Sequence, residues 1–179
     1  MSELLLIENG APTLANLKTA SLFTVPAEGR QAVENWKKTL AEKGVTLAIL
    51  RERGERLLVY IYREERLRKD LSHPDARCIL CREGYRWETP REALKTLKQR
   101  IGEADGFPHE IGLFLGYPHE DVQGFIQHRG RNCKCTGCWK VYGDEQQAAR
   151  QFARFKKCRD IYLRLFCDGR SLTQLTVAS

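Results

Sequence analysis

Residues 45–62 read VTLAILRERGERLLVYIY, and this stretch decides the fold class. Two runs of strand-forming residues, 45–50 and 57–62, flank a polar segment in which Gly54 favours a hairpin turn. The second run is apolar without alternation, which is typical of a central strand that is covered on both faces. Helices are predicted on either side of the hairpin, over 27–43 and 64–71.

From this hairpin we expect a single α+β domain over residues 1–179. Its small, mostly antiparallel sheet would contain the 45–62 hairpin and a strand over 138–142, packed by several helices. A chain of 179 residues is long enough for one domain with a full core. The turn-forming residues 103–106 are the one plausible internal boundary, but they are too few for a domain junction.

Composition narrows the class of protein. Hydrophobic residues make up 42% of the chain and charged residues 30%, which argues against wholesale disorder. No apolar run approaches the roughly 18 to 20 residues that span a bilayer, and the N-terminal residues lack the basic segment of a signal peptide. We therefore expect a cytoplasmic protein with no membrane partner, whose seven cysteines are reduced, metal-bound or buried. The net charge of +7 is compatible with an anionic partner, but the basic residues are scattered, which favours solubility alone.

A tetrapeptide pattern occurs twice, as FPHE at 107–110 and as YPHE at 117–120. Proline pre-sets the backbone of a helix start and glutamate suits the first turn, so two short helices are predicted. If both starts face one pocket, their N–H groups would bind an anion, with Tyr117 as an aromatic wall. His109 and Glu110 would then move a proton as a catalytic pair. A purely structural role for both helix starts stays open, because no known catalytic motif accompanies them.

The segment Cys133-Lys-Cys135-Thr-Gly-Cys138 is the strongest ligand pattern in the chain. Gly137 permits a tight turn, so that the thiolates of Cys135 and Cys138 could face one ion with Cys133 as a third ligand. Zinc or an iron–sulfur cluster would suit such soft ligands. The alternative is a β-segment in which the small cysteine side chains pack beside Trp139.

A second pair, Cys78 and Cys81, lies one turn apart within a predicted helix. Its first cysteine is in mid-helix, whereas redox pairs of this spacing place it at a helix N-terminus. We therefore expect both side chains to be buried packing residues. If the metal site exists, this pair or His128 would supply the fourth ligand.

A basic loop over 128–134 precedes Trp139, Lys140 and Tyr142. Basic residues interleaved with aromatic ones can bind phosphates and stack bases, with Arg131 and Trp139 as the contacting residues. No recognised nucleic-acid motif is present, so a nucleic-acid partner ranks last among the alternatives.

Two motifs, PTLANLKTASLF at 12–23 and FPHEIGLFLGYP at 107–118, carry a resemblance. The chain is similar to an uncharacterised family of soluble bacterial proteins known only as a domain of unknown function. The resemblance favours His109 over His119 as a site residue. It also implies tyrosines in place of Cys133 and Cys138, so that metal binding there would be peculiar to this chain.

Lys18 is the only charged residue of the first motif, and it is either a solvated side chain or an anion-binding one. Relatives resemble products of anaerobic bacteria, sometimes encoded near flavodoxin-like or iron-uptake functions. This implies a small-ligand or metal-binding accessory protein linked to redox or iron metabolism. Its partner would be an unknown small ligand or a redox protein. An enzyme built on the His109 pocket is the alternative.

Overall fold

The computed structural model describes residues 3–103 and 106–178, so Ala104 and Asp105 of the expected linker lie outside the described residues. The chain folds into two compact units. The described residues up to Glu64 and from Phe155 onward form the first unit, and Glu65–Arg154 form the second. Helices combine with small antiparallel sheets, which confirms the α+β class. One domain over 1–179 stays a prediction.

The first unit contains a three-stranded antiparallel sheet in the order β1-β3-β2. Gly54 has a φ of 57° between the two hairpin strands, as the tight turn requires. In the central strand, every residue after Arg56 is buried. The predicted hairpin and its covered central strand are confirmed. The strands are β1 (Ala20–Pro26), β2 (Val45–Arg53) and β3 (Arg56–Arg63).

Helices pack on this sheet. The predicted helix over 27–43 forms as a short 3-10 turn followed by a regular helix that buries Val33, Trp36 and Leu40. Because proline suits the first turn of a helix, the sequence predicts that a short helix begins at Pro12. This is wrong, since Pro12 lies near the end of a helix. The apolar residues Leu6 and Ile7 are fully buried and start the helix earlier. The helical segments are α1 (Glu3–Leu14), the 3-10 turn Ala27–Gly29, α2 (Arg30–Ala41) and α9 (Leu172–Leu175), with α8 (Glu145–Cys167) supplying residues to both units.

Arg63, at the end of β3, is only 1% exposed and links three segments of the first unit: the end of α1, the residues after α2 and the residues near the C-terminus. Its guanidinium donates hydrogen bonds to the carbonyls of Thr13 and Leu14 at 2.9 and 2.6 Å. It also donates to the carbonyls of Lys43 and Val177 at 3.0 and 2.7 Å. Thr13 and Leu14 end α1, where the helix dipole favours a positive charge.

The second unit is mainly helical. Its helices are α3 (Glu64–Ser72), α4 (Pro74–Arg82), α5 (Pro90–Glu103), α6 (Ile111–Phe114) and α7 (His119–His128). The first residue of α3, Glu64, is counted with the first unit. The strand expected over 138–142 does not join the hairpin sheet, so that part of the prediction is wrong. It forms β5 (Lys140–Val141), which pairs with β4 (Cys135–Thr136) in a separate two-stranded sheet. The reason is local: the Gly137 N–H bonds to the Trp139 carbonyl at 3.0 Å, and this tight turn provides a neighbouring partner strand.

Across residues 3–103 and 106–178, the structure contains no helix with both the length and the apolar character needed to cross a bilayer.

Candidate functional site

A cavity of about 490 Å³ opens in the second unit, beside the first of the two repeated tetrapeptides. Pro118 is the N-cap of α7, as predicted, whereas Pro108 lies in a loop that precedes the four-residue α6. Gly116 between the two helices has a φ of 72°, a backbone conformation that favours glycine. The lining residues are 106–109, Ile111, Gly112, Tyr117, Asp121, Val122, Phe125, Trp139 and Lys140.

Five of the twelve residues that line the cavity carry aromatic rings. Tyr117 and Trp139 stack with their ring centroids 4.7 Å apart. The His109 imidazole meets Phe125 edge to face at 5.2 Å. Phe107 is 46% exposed, which is unusual for a large apolar side chain. An apolar wall with a few polar groups is what small-molecule sites share.

The polar groups at the cavity are few. Lys140 places its ammonium 5.9 Å from the centre of the Phe125 ring and donates to the Gly130 carbonyl at 2.6 Å. Tyr117 donates weakly to the Cys138 carbonyl at 3.4 Å. Burial raises the pKa of Tyr117 to about 12, with a smaller contribution from Cys138, so its hydroxyl is protonated at neutral pH. The cavity can therefore offer a neutral phenol and one ammonium group to a ligand.

Asp121, in the first turn of α7, holds the far wall of the cavity in place. Its carboxylate is 3% exposed and accepts three hydrogen bonds, each 2.7 Å long. The donors are the Trp139 indole N–H and the backbone N–H groups of Tyr142 and Gly143. A buried carboxylate with three N–H donors is satisfied, so it positions Trp139 and leaves the ligand to other groups.

His109 and Glu110, the predicted catalytic pair, have different surroundings. His109 is exposed and lines both the aromatic cavity and a second, more polar depression of about 560 Å³. Glu110 is 1% exposed and accepts a hydrogen bond from Tyr85 at 2.8 Å. Arg100 Nε lies 2.7 Å from the same carboxylate oxygen, although its N–H is not aligned for a hydrogen bond.

These contacts bear on the catalytic hypothesis. Burial, followed by the neighbouring Glu110 charge, raises the pKa of Tyr85, which keeps the hydroxyl as a donor. The carboxylate of Glu110 is thus engaged by a hydroxyl and a guanidinium, as a structural ion pair is. Its catalytic role stays a prediction, whereas His109 is placed where a ligand would touch it.

The three cysteines predicted to bind metal lie around the β4–β5 turn. Cys133 Sγ is 3.5 Å from the Thr136 hydroxyl, Cys135 is half-buried in β4, and Cys138 is exposed. In the described parts of the chain, these thiols do not belong to any group of three metal-binding side chains with donor atoms within 4.8 Å of one another. The thiol of Cys135 has a raised pKa because of desolvation and then the charge of Glu145. Metal binding here stays a prediction and requires the loop to rearrange.

Gly137 has a packing role in this turn. A Cβ atom at this position would come within 2.2 Å of the Phe152 ring. Phe152 in turn meets the buried Trp139 edge to face, with ring centroids 4.6 Å apart. Close aromatic packing therefore explains the glycine, independently of any metal site.

Cys78 and Cys81 were expected to be buried, and this is wrong, since both are exposed on α4. The buried face of that helix is made by Ala76, Ile79 and Leu80. Positions 78 and 81 therefore fall on the outer side of the helix.

Part of the basic loop is engaged by the protein itself. Lys134 donates to the Gly143 carbonyl at 2.7 Å, and the Arg131 carbonyl accepts from the Tyr142 hydroxyl at 2.9 Å. Trp139 is 7% exposed, so its ring is not free to stack on a base. Lys18 belongs to the first unit, where its ammonium lies 6.0 Å from the Phe155 ring centre.

Sequence reasoning missed several residues of this region. Asp121, Phe125 and Lys140 converge on the cavity from α7 and β5, and only the tertiary fold brings them together. It also ranked His119 below His109, although His119 stacks on His73. A signal was present for Asp121 alone, because an acidic residue shortly after a proline is typical of the first turn of a helix.

Comparison with known proteins places the chain in a family. The model of the family described as protein of unknown function (DUF3793) matches residues 6–176. No curated protein matches the chain, and no solved structure does. Since the match spans nearly the whole sequence, the chain belongs to the DUF3793 family of proteins of unknown function.

Proposed function

We propose that the protein binds a small, flat, mostly apolar ligand that carries one anionic or hydrogen-bond-accepting group. The observation that carries this proposal is the cavity of about 490 Å³ with its wall of aromatic rings. A volume of this order lies within the usual range of small-molecule sites. The rings of Phe107 and His109, which are exposed at this wall, favour a planar ligand.

The charge at the cavity decides which polar group the ligand carries. Lys140 supplies a positive charge, whereas the negative charge of Asp121 is already engaged by three N–H donors. His109 and the protonated Tyr117 hydroxyl add hydrogen-bonding groups. An acceptor or anion on the ligand is therefore favoured over a cation.

Binding is tested with anilinonaphthalene sulfonate, a probe that combines fused aromatic rings with one anionic group. We expect saturable binding of one probe molecule per chain, measured by probe fluorescence. A probe at a hundred times its dissociation constant should raise the unfolding free energy by about 2.7 kcal/mol. His109→Ala and Phe107→Ala should each weaken binding and leave the unfolding transition nearly unchanged, because both side chains are exposed.

The matched control is Val177→Ala, which removes another exposed apolar side chain, in the first unit. It should bind the probe like the unaltered chain. Probe binding that does not saturate, or that is the same in Phe107→Ala and Val177→Ala, would contradict the proposal.

The biological setting is proposed on a different ground. A role as an accessory protein in redox or iron metabolism, with a redox protein as partner, rests on the family resemblance alone. The enzyme alternative needs His109 to act without Glu110, since Arg100 and Tyr85 engage that carboxylate. The nucleic-acid alternative needs Arg131 and its neighbours to bind phosphates without a stacking contribution from the buried Trp139.

A further inference from the structure

His73 and His119 are far apart in the sequence, yet their rings stack in the second unit. The ring centroids are 4.5 Å apart, and the ring planes differ by 21°. Asp75 lies beside both, with Oδ2 2.9 Å from His119 Nε2 and 3.7 Å from His73 Nδ1. Within the described residues, these three form the group of metal-binding side chains whose ligand atoms all lie within 4.8 Å of one another.

Helix starts fix the three residues. His73 is the N-cap of α4, Asp75 is in the first turn of that helix, and His119 is the first residue of α7. His73 Nδ1 accepts the Asp75 N–H at 3.3 Å, so the lone pair that a metal would use is on Nδ1. A bound ion would replace this long hydrogen bond.

We propose that His73, Asp75 and His119 bind a divalent first-row transition metal ion, with Zn²⁺ as its probe. Around a tetrahedral zinc ion, neighbouring nitrogen and oxygen ligands are about 3.3 Å apart. The two distances from Asp75 Oδ2, 2.9 and 3.7 Å, lie on either side of that value. The stacked imidazole rings would turn on binding so that both nitrogen lone pairs point at the ion.

The donor set selects the class of metal. Two imidazoles and one carboxylate suit zinc, cobalt, nickel or ferrous iron, whereas magnesium and calcium prefer oxygen ligands alone. Glu120 Oε2 lies 3.4 Å from His119 Nε2 and offers a further oxygen. The positive ends of α4 and α7 oppose a cation, and the carboxylates of Asp75 and Glu120 offset that effect.

Access to the site also fits. The side chains of His73 and Asp75 are 51% and 58% exposed, and that of His119 is 35% exposed. An ion can therefore reach the site from solvent and retain water at its open positions. This site is separate from the cysteine loop, whose three thiols would form an all-sulfur set.

The test measures Zn²⁺ binding to the full chain by calorimetry, after treatment with a chelator. We expect one equivalent to bind in the presence of excess Mg²⁺. His73→Ala and His119→Ala should each lower the affinity at least about tenfold, because ligand loss costs no less than loss of an outer partner. Asp75→Asn, which is nearly isosteric, should weaken binding while circular dichroism confirms that the variant is folded.

Two controls separate the alternatives. His128→Ala removes another exposed histidine and should bind Zn²⁺ normally. Cys135→Ser should also bind normally, and Co²⁺ in place of Zn²⁺ should show no thiolate charge-transfer absorption. No Zn²⁺ binding, or binding that survives both His73→Ala and His119→Ala, would overturn the proposal. Loss of binding in Cys135→Ser alone would also overturn it and would move the site to the cysteine loop.

Discussion

The two units treat buried charge differently. In the first unit, the guanidinium of Arg63 donates to backbone carbonyls at the end of α1, after α2 and near the C-terminus. In the second, the carboxylates of Glu110 and Asp121 accept from side chains and backbone groups around open cavities. The buried charge of the first unit connects segments of a packed core, whereas the buried charges of the second unit lie beside cavities. A ligand site is therefore expected in the second unit.

The largest expected effect is a loss of stability in the first unit, where Arg63 is buried. Arg63→Met should lower the free energy of unfolding by about 4 kcal/mol, because buried carbonyls are left without donors. Urea denaturation measures this loss. The loss in Arg63→Lys should be smaller than that in Arg63→Met but still measurable. An ammonium group keeps the charge, but it cannot donate to several carbonyls with the planar geometry of a guanidinium. A loss below about 1 kcal/mol in Arg63→Met would show that the carbonyls find other partners.

Asp121→Asn tests the buried carboxylate beside the cavity of the second unit. The variant keeps the shape of the side chain but loses its charge and turns an amide group toward N–H donors. We expect a loss of about 3 kcal/mol in unfolding free energy, since hydrogen bonds to charged groups contribute more than neutral ones. Trp139 fluorescence should also change, because its indole N–H loses its acceptor. Asp144→Asn, at the exposed N-cap of α8, is the matched control and should have little effect, since Asn caps as well as Asp.

The smallest effect is a pH dependence at the cavity wall. Tyr117 has a folded pKa near 12 against 10 for an ordinary tyrosine. The raised value means that the neutral hydroxyl stabilises the fold below about pH 10, and this contribution is lost as the pH rises toward 12. Near pH 11 the unaltered chain should therefore have lost about 1 kcal/mol that Tyr117→Phe does not lose. Parallel stability curves for the two proteins would show that the hydroxyl is solvated.

The sequence was most informative where structure depends on neighbours along the chain. The 45–62 hairpin and the helix containing Trp36 follow local rules of turn and periodicity. Pro12 was misread because proline usually occupies the first turn of a helix, whereas the buried Leu6 and Ile7 show that this helix begins earlier. Strand 138–142 was assigned to the wrong sheet, because the tight turn at Gly137 supplies a neighbouring partner strand, β4, that was not predicted.

The candidate site was predictable only in part. The repeated tetrapeptides indicated His109 and Tyr117, and both line the cavity. Glu110 has the same sequence context as Glu120, yet the first is 1% exposed in an ion pair and the second is exposed. Burial of this kind depends on Tyr85 and Arg100, which no spacing rule connects to position 110.

Ligand binding in the cavity beside Trp139 is detected most directly by the indole N–H signals of the chain. The three tryptophans are Trp36 in the core of the first unit, Trp87, and Trp139 at the cavity wall. Proton–nitrogen correlation spectra recorded during an anilinonaphthalene sulfonate titration follow each one, with Trp139→Phe assigning the cavity signal. We expect the Trp139 signal to shift to saturation while the Trp36 signal stays in place, as ligand binding in the cavity requires. An unmoved Trp139 signal at probe concentrations that saturate fluorescence would contradict this expectation.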